Sequence, residues 1–365
     1  MGFKCGIVGL PNVGKSTLFN ALLATQQAEA AHYPFCTLEP NVGRVSVPDE
    51  RIGKLAAIDD SKTIIPTQLE FVDIAGLVRG ASKGEGLGNQ FLSHIREVDA
   101  IIYVLRCFED GNVTHVEGSV DPLRDADIIE NELILADMES LEKRLPNLQK
   151  KAKGGDKDSL AQVAMIERAL AVVNQGKPAR ITEANSADEK KILRELQLLT
   201  TKPVMYVCNV DEASAEKGNN LSASVAAKKQ GAPVVVISAK IEAEISMLET
   251  EAEKQEFLAT IGLSETGLAR IIRAGYSLLD LITYFTVGPK EARAWTIIKG
   301  TAAPAAAGVI HTDFEKGFIR AETIAYNDYI ACKGEAGAKE AGKFRLEGKD
   351  YVVQDGDVLP FRFNT

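Results

Sequence analysis

The sequence predicts an α/β fold: a doubly wound, mostly parallel sheet with an inserted antiparallel helical hairpin and a C-terminal β-grasp domain. Three observations point to it. Short apolar runs at residues 4–8, 69–73, 101–105, 203–208 and 234–237 alternate with stretches of helical periodicity, as a parallel sheet with crossover helices requires. Between the third and fourth runs, apolar residues recur in steps of four and three, the seam of two packed helices. Beyond Asp280 the chain becomes β-rich at 295–298, 318–324, 351–353 and 359–363, with Asp355-Gly356-Asp357 as a turn.

A chain of 365 residues is too long for one ordinary core. It divides into a nucleotide-binding domain (1–128 and 200–280), a helical insert (129–199) and a C-terminal domain (281–365). No apolar run approaches the roughly 20 residues that span a bilayer, and the start lacks the layout of a signal peptide, so the expected location is the cytoplasm. Gly2 invites myristoylation, but Gly6 stands where that motif needs Ser or Thr. Five scattered cysteines without a C-x-x-C pair argue against a disulfide framework and a thiolate zinc site. A net charge of -9 speaks against DNA binding over the whole surface.

The first element carries the chemistry. After the apolar run 4–8, Gly9-Leu10-Pro11-Asn12-Val13-Gly14-Lys15-Ser16 matches G-x-x-x-x-G-K-[ST] at every fixed position, and a helical stretch follows from Thr17. Strand, loop and helix in that order make a P-loop NTPase site. Asn12, Val13, Gly14, Lys15, Ser16 and Thr17 bring backbone amides and a helix N-terminus to phosphate. Lys15 balances the β- and γ-phosphates, and Ser16 supplies an oxygen to Mg²⁺. The second run ends in Asp73-Ile74-Ala75-Gly76, where Asp73 holds Mg²⁺ through water and the Gly76 amide meets the γ-phosphate. Gly80, Gly84, Gly86 and Gly88 follow, a density of glycine that predicts a segment able to change shape with nucleotide state. Between the two motifs, Thr37 lies in a stretch bracketed by Pro34 and Pro40 and is the candidate second Mg²⁺ ligand.

The fourth run ends in Asn209-Val210-Asp211-Glu212 and the fifth in Ser238-Ala239-Lys240, where small residues let backbone amides approach a purine. With these motifs in place, the chain resembles the YchF or Obg-like ATPase family of translation-factor-related P-loop GTPases. Its signatures are Gly9 to Ser16, Pro34 to Asn41, and the glycine-rich run from Asp73 to Asn89. The resemblance spans essentially the whole chain and implies ATPase activity in a GTPase fold.

The base-reading residues agree with ATP. A guanine loop reads Asn-Lys-x-Asp, its carboxylate accepting two N–H donors of the base. Here Val210 takes the lysine position and Glu212 the last, one methylene longer, which weakens guanine selectivity and leaves Asn209 to meet the adenine N6/N7 edge. Asp211 keeps a shifted register, and with it some GTP use, open. Leu77 stands where many relatives place a water-orienting glutamine. The resemblance points instead to His115, a reasonable water-orienting group near neutral pH, with a bystander loop histidine as the alternative. Asn12 is the candidate K⁺ contact, as in related GTPases without the glutamine; its alternative role is to suit the loop turn.

In the insert, Ile134, Met138, Leu141, Leu145 and Leu148 face Val163, Ile166, Leu170 and Val173 across Gly154-Gly155-Asp156, and Pro146 should kink or shorten the first helix. Ser186 to Glu189 reads as a capping box. Lys143, Arg144, Lys150, Lys151, Lys153 and Lys157 gather near the tip, either as phosphate contacts to RNA or as a solvated helix end. The C-terminal stretch resembles the TGS module, which implies RNA or ribosome contact, with interdomain packing as the alternative. It carries eleven basic and eleven acidic side chains and is locally basic at Lys333, Lys339, Lys343, Arg345 and Lys349. The functional expectation is a cytoplasmic, Mg²⁺-dependent, slow ATPase switch acting with the ribosome or ribosomal RNA, without membrane or specific DNA partners. Its rivals are a nucleotide-gated binding protein with incidental turnover and an ordinary GTPase.

Overall fold

A computed structural model describes residues 3–30, 41–75, 87–111 and 115–364. Two compact units emerge, one of residues 1–44 with 70–271 and one of 45–69 with 272–365.

In chain order, β1 (Lys4–Val8) leads into α1 (Lys15–Ala30) and then β2 (Val42–Ser46). Next come α2 (Glu50–Ile58), β3 (Thr63–Ile65) and β4 (Gln68–Asp73), followed by α3 (Leu87–Glu97) and β5 (Ala100–Arg106). The first sheet runs β2-β4-β1-β5 and is completed by β6 (Val204–Asn209) and β7 (Val234–Ile237). β1 pairs parallel with β4 and β5, β5 with β6, and β6 with β7. All seven residues of β5 and all six of β6 are buried, so these central strands read as continuous apolar runs rather than alternations. The sequence-expected runs 4–8, 69–73, 101–105, 203–208 and 234–237 thus fall on β1, β4, β5, β6 and β7 of one sheet.

The hairpin is present as α4 (Pro122–Lys153) and α5 (Lys157–Val173), turning through Gly154 and Gly155. Ile134, Leu141, Ile166 and Val173 are buried in its own core, with Met138, Leu145, Leu148 and Leu170 packed against them. Pro146, expected to kink or shorten the first helix, lies inside a single 32-residue helix. Its side chain is exposed, so the Glu142 carbonyl that loses an amide partner is on the solvent side and can be hydrated. After α6 (Ala187–Glu195), Asp137 of α4 holds the following 3₁₀ turn, accepting from Leu199 N at 2.7 Å, Thr200 N at 2.8 Å and Thr200 Oγ1 at 2.6 Å. The capping box at Ser186 is half formed. Ser186 accepts from Glu189 N, but the Glu189 carboxylate turns to Asn185 N and Arg168. The unit ends with α7 (Asn220–Lys228), α8 (Ala239–Ser246) and α9 (Glu251–Thr260), and α10 (Gly267–Leu278) runs on into the second unit.

The second unit is built on β8 (Leu281–Val287) and β9 (Glu291–Ile298), an antiparallel pair. α11 (Ala303–Ile310), α12 (Thr312–Lys316), β10 (Phe318–Ala325), α13 (Tyr326–Ala331) and α14 (Glu335–Glu340) follow, then β11 (Arg345–Glu347), β12 (Asp357–Val358) and β13 (Phe361–Phe363). The strand order is β11-β10-β12-β8-β9-β3, with β13 also on β10. Residues 45–69, read in the sequence as part of the nucleotide-binding domain, pack here because β3 pairs parallel with β9, Ile64 opposite Ala292. The stretch 351–353 is not a strand; Val352 makes one isolated bridge to Ala302. Residues 281–287, not read as a strand, form β8.

Candidate functional site

The turn between β1 and α1 is shaped by backbone that few residues tolerate. Asn12 and Gly14 both have positive φ, 66° and 92°. At Gly14 the constraint is double, since a Cβ there would collide with the Asn209 side-chain amide, and at Gly9 one would meet the Val104 carbonyl at 2.9 Å. The helix beyond opens at Lys15, and Leu18 N donates to the Gly14 carbonyl at 3.0 Å. Ser16 and Thr17 are exposed on the first turn of α1, while Val13 is buried.

Lys15 opens α1, just beyond β1, and Asp73 ends β4, the parallel neighbour of β1, so the Lys15 ammonium contacts Asp73 Oδ1 as an ion pair. The residues expected to hold phosphate and Mg²⁺ are thereby brought to one place. A carboxylate oxygen and a serine hydroxyl are the hard oxygen donors that Mg²⁺ takes, and Asp73 here already has a cation against it. Ser16 and Asp73 therefore fit the expected metal. Thr37, Gly76, Leu77 and the glycines Gly80, Gly84 and Gly86 lie outside the described residues; Gly88 and Asn89 fall in the first turn of α3.

At the ends of β6 and β7 the structure gives Asn209 a structural role. Its side chain is buried, donating from Nδ2 to the Val13 carbonyl and accepting at Oδ1 from Ala239 N, both at 2.9 Å. The residue ties the phosphate loop to the start of α8, using one of the two N–H groups of Nδ2. Val210 is also buried, its amide bonded to the Ile237 carbonyl at 2.8 Å. Asp211 caps a 3₁₀ turn, its Oδ1 accepting from Ser214 N at 3.0 Å. Glu212 and Lys240 form an ion pair on the exposed rim. The Lys240 ammonium holds the Glu212 carboxyl below its usual range, and Glu212 raises Lys240 in turn. Ser238 Oγ is buried with no hydrogen-bond partner among the described residues.

His115 departs from the expectation of a loop histidine free to orient water. It is buried, with Nε2 2.7 Å from Asp125 Oδ2 and Nδ1 accepting from Glu117 N at 3.1 Å. An Nδ1 that accepts places the ring proton on Nε2, which donates to Asp125. Both nitrogens are committed within the chain. Asp125 was missed in the sequence; only its place in the first turn of a long helix marked it. Arg124 also bonds it, at 3.0 Å.

The basic residues divide by location. At the hairpin tip Lys150, Lys151, Lys153 and Lys157 are exposed, and none has a carboxylate at ion-pair distance among the described residues, whereas Lys143 pairs with Glu139 and Arg144 donates to the Leu196 carbonyl. In the C-terminal unit the expected basic patch is largely neutralised in place: Lys339 pairs with Glu335, Lys343 with Asp328 and Arg345 with Glu347. No helix among the described residues is long and apolar enough to cross a membrane.

Two family models match. Residues 4–132 match one described as a 50S ribosome-binding GTPase, and residues 281–364 match YchF-GTPase_C, described as a protein of unknown function. The ribosome-binding ATPase YchF of Pasteurella multocida is 57% identical over 365 residues, and that of Bacillus subtilis 56% identical over 368, each match covering 100% of both chains. The solved YchF GTPase of Schizosaccharomyces pombe superposes with a TM-score of 0.89 at 40% identity, covering 99% of this chain and 98% of that one. By full-length identity, matching domains and common fold, the chain belongs to the YchF family.

Proposed function

We propose that the chain binds ATP with Mg²⁺ at the Gly9–Ser16 loop, hydrolyses it slowly, and uses the change of nucleotide state to alter its affinity for the ribosome. The observation that carries this reading is the Lys15–Asp73 ion pair at the N-terminus of α1. In the structure these two charges satisfy each other. On binding, Lys15 turns to the β- and γ-phosphates and Asp73, with Ser16, holds Mg²⁺. The metal supplies charge neutralisation of the phosphates. The α1 amides orient the phosphate chain, while Asn209 fixes the distance between the phosphate loop and the base loop. The names of the relatives support ATP as nucleotide and the ribosome as partner. The unpaired lysines at the hairpin tip suit phosphate contacts to ribosomal RNA.

A second reading, a nucleotide-gated ribosome binder with incidental turnover, is favoured by one observation: both His115 nitrogens are occupied. Single-turnover hydrolysis with and without ribosomes separates the two. Strong stimulation is expected from the first, whereas unchanged hydrolysis with nucleotide-dependent co-sedimentation establishes the second.

A further inference from the structure

The parallel register of β6 and β7 sets Asn209 opposite Ile237. Counting three residues beyond each strand position brings Glu212 and Lys240 side by side, and their side chains close the ion pair on the rim of the loop that Asn209 anchors to Val13 and Ala239. The pair is exposed, 47% at Glu212 and 67% at Lys240, so neither group is needed to fill the core. Asp110 and Glu244 also act on the Lys240 charge, making Lys240 the cation that balances a locally acidic rim. The extra methylene of Glu212 over aspartate gives its carboxylate added reach toward Lys240.

We infer that Lys240 is a specificity-determining residue, engaging Glu212 so that the rim carboxylate is withheld from a guanine edge. This rests on the reading that the base lies against residues 209–212. Guanine presents two N–H donors on its Watson–Crick edge, and a free carboxylate accepts both with charge assistance. Adenine presents an acceptor at N1 beside the N6 donor, and a free carboxylate repels that acceptor. A carboxylate neutralised by Lys240 has neither effect at full strength. Removing Lys240 leaves Glu212 without its ion-pair partner and turns the rim toward bases that donate.

The test is calorimetric titration of the full chain with ADP and with GDP in Mg²⁺, so that hydrolysis does not intervene, using wild type, Lys240→Met, Glu212→Gln and the double variant. Lys240→Met is expected to gain about five-fold in GDP affinity and to lose ADP affinity, the scale of an exposed charge pair. Glu212→Gln should show no GDP gain, and the double variant should return toward the wild-type ratio. A Lys240→Met ratio within two-fold of wild type overturns the inference, as does a double variant that keeps the full shift, since Glu212 would then not be the agent. If wild type binds neither nucleotide, the binding reading itself fails, and the inference falls with it.

Discussion

Two buried or half-buried charge contacts do different work in the nucleotide unit. The Lys15–Asp73 pair is provisional, because both partners have other ligands to take once nucleotide and metal arrive. Asp73→Asn keeps the shape of the side chain but weakens its hold on a cation. It should lower Mg²⁺-dependent hydrolysis by roughly 100-fold with little change in thermal stability; hydrolysis within a few-fold of wild type would dissociate Asp73 from the metal. The His115–Asp125 contact is structural as it stands. His115→Ala removes the ring from a carboxylate that is 1% exposed, leaving it with Arg124 at its edge. The expected cost is about 2–4 kcal/mol, read from urea unfolding. The phosphate-loop residues were legible because their chemistry fixes their spacing, so identity and order along the chain sufficed. The burial of His115 was not: its partner Asp125 carries no motif, and a histidine among polar residues reads alike whether exposed or enclosed.

Among the elements, the helical insert is held in part by a buried polar anchor. Asp137 accepts three hydrogen bonds from Leu199 and Thr200 although burial raises its carboxyl above the usual range. Asp137→Ala strands two buried amides and should destabilise the chain by about 3 kcal/mol, whereas exposed Lys150→Ala at the tip should fall within about 0.5 kcal/mol of wild type. Urea midpoints of the two variants measure both. The hairpin was readable because steps of three and four persist over many turns. Pro146 misled because a proline costs a helix most where its freed carbonyl is buried, and here that side faces solvent. The β3–β9 pairing was invisible. A three-residue strand has no usable period, and its partner lies more than 220 residues away in the chain, a separation that leaves no local signal.

For the whole molecule, the chain's acidity sets off the exposed lysines at residues 150–157, which have no ion-pair partner among the described residues, from their surroundings. If these make phosphate contacts, reversing all four to glutamate should reduce ribosome co-sedimentation by at least ten-fold at low salt and leave nucleotide affinity unchanged. Equal binding by the variant would assign the ribosome contact elsewhere. Chelating Mg²⁺ with EDTA should abolish hydrolysis, since neither Lys15 nor the α1 amides replace the metal's charge on the phosphates. The most direct test is equilibrium titration of the full-length chain with ATP and GTP analogues that resist hydrolysis, in Mg²⁺. With Val210 in place of a lysine, Asp211 engaged in a cap and Glu212 in the ion pair with Lys240, guanine recognition is weakened, and ATP should bind about ten-fold more tightly than GTP. GTP binding as tightly as ATP, or more so, would contradict it.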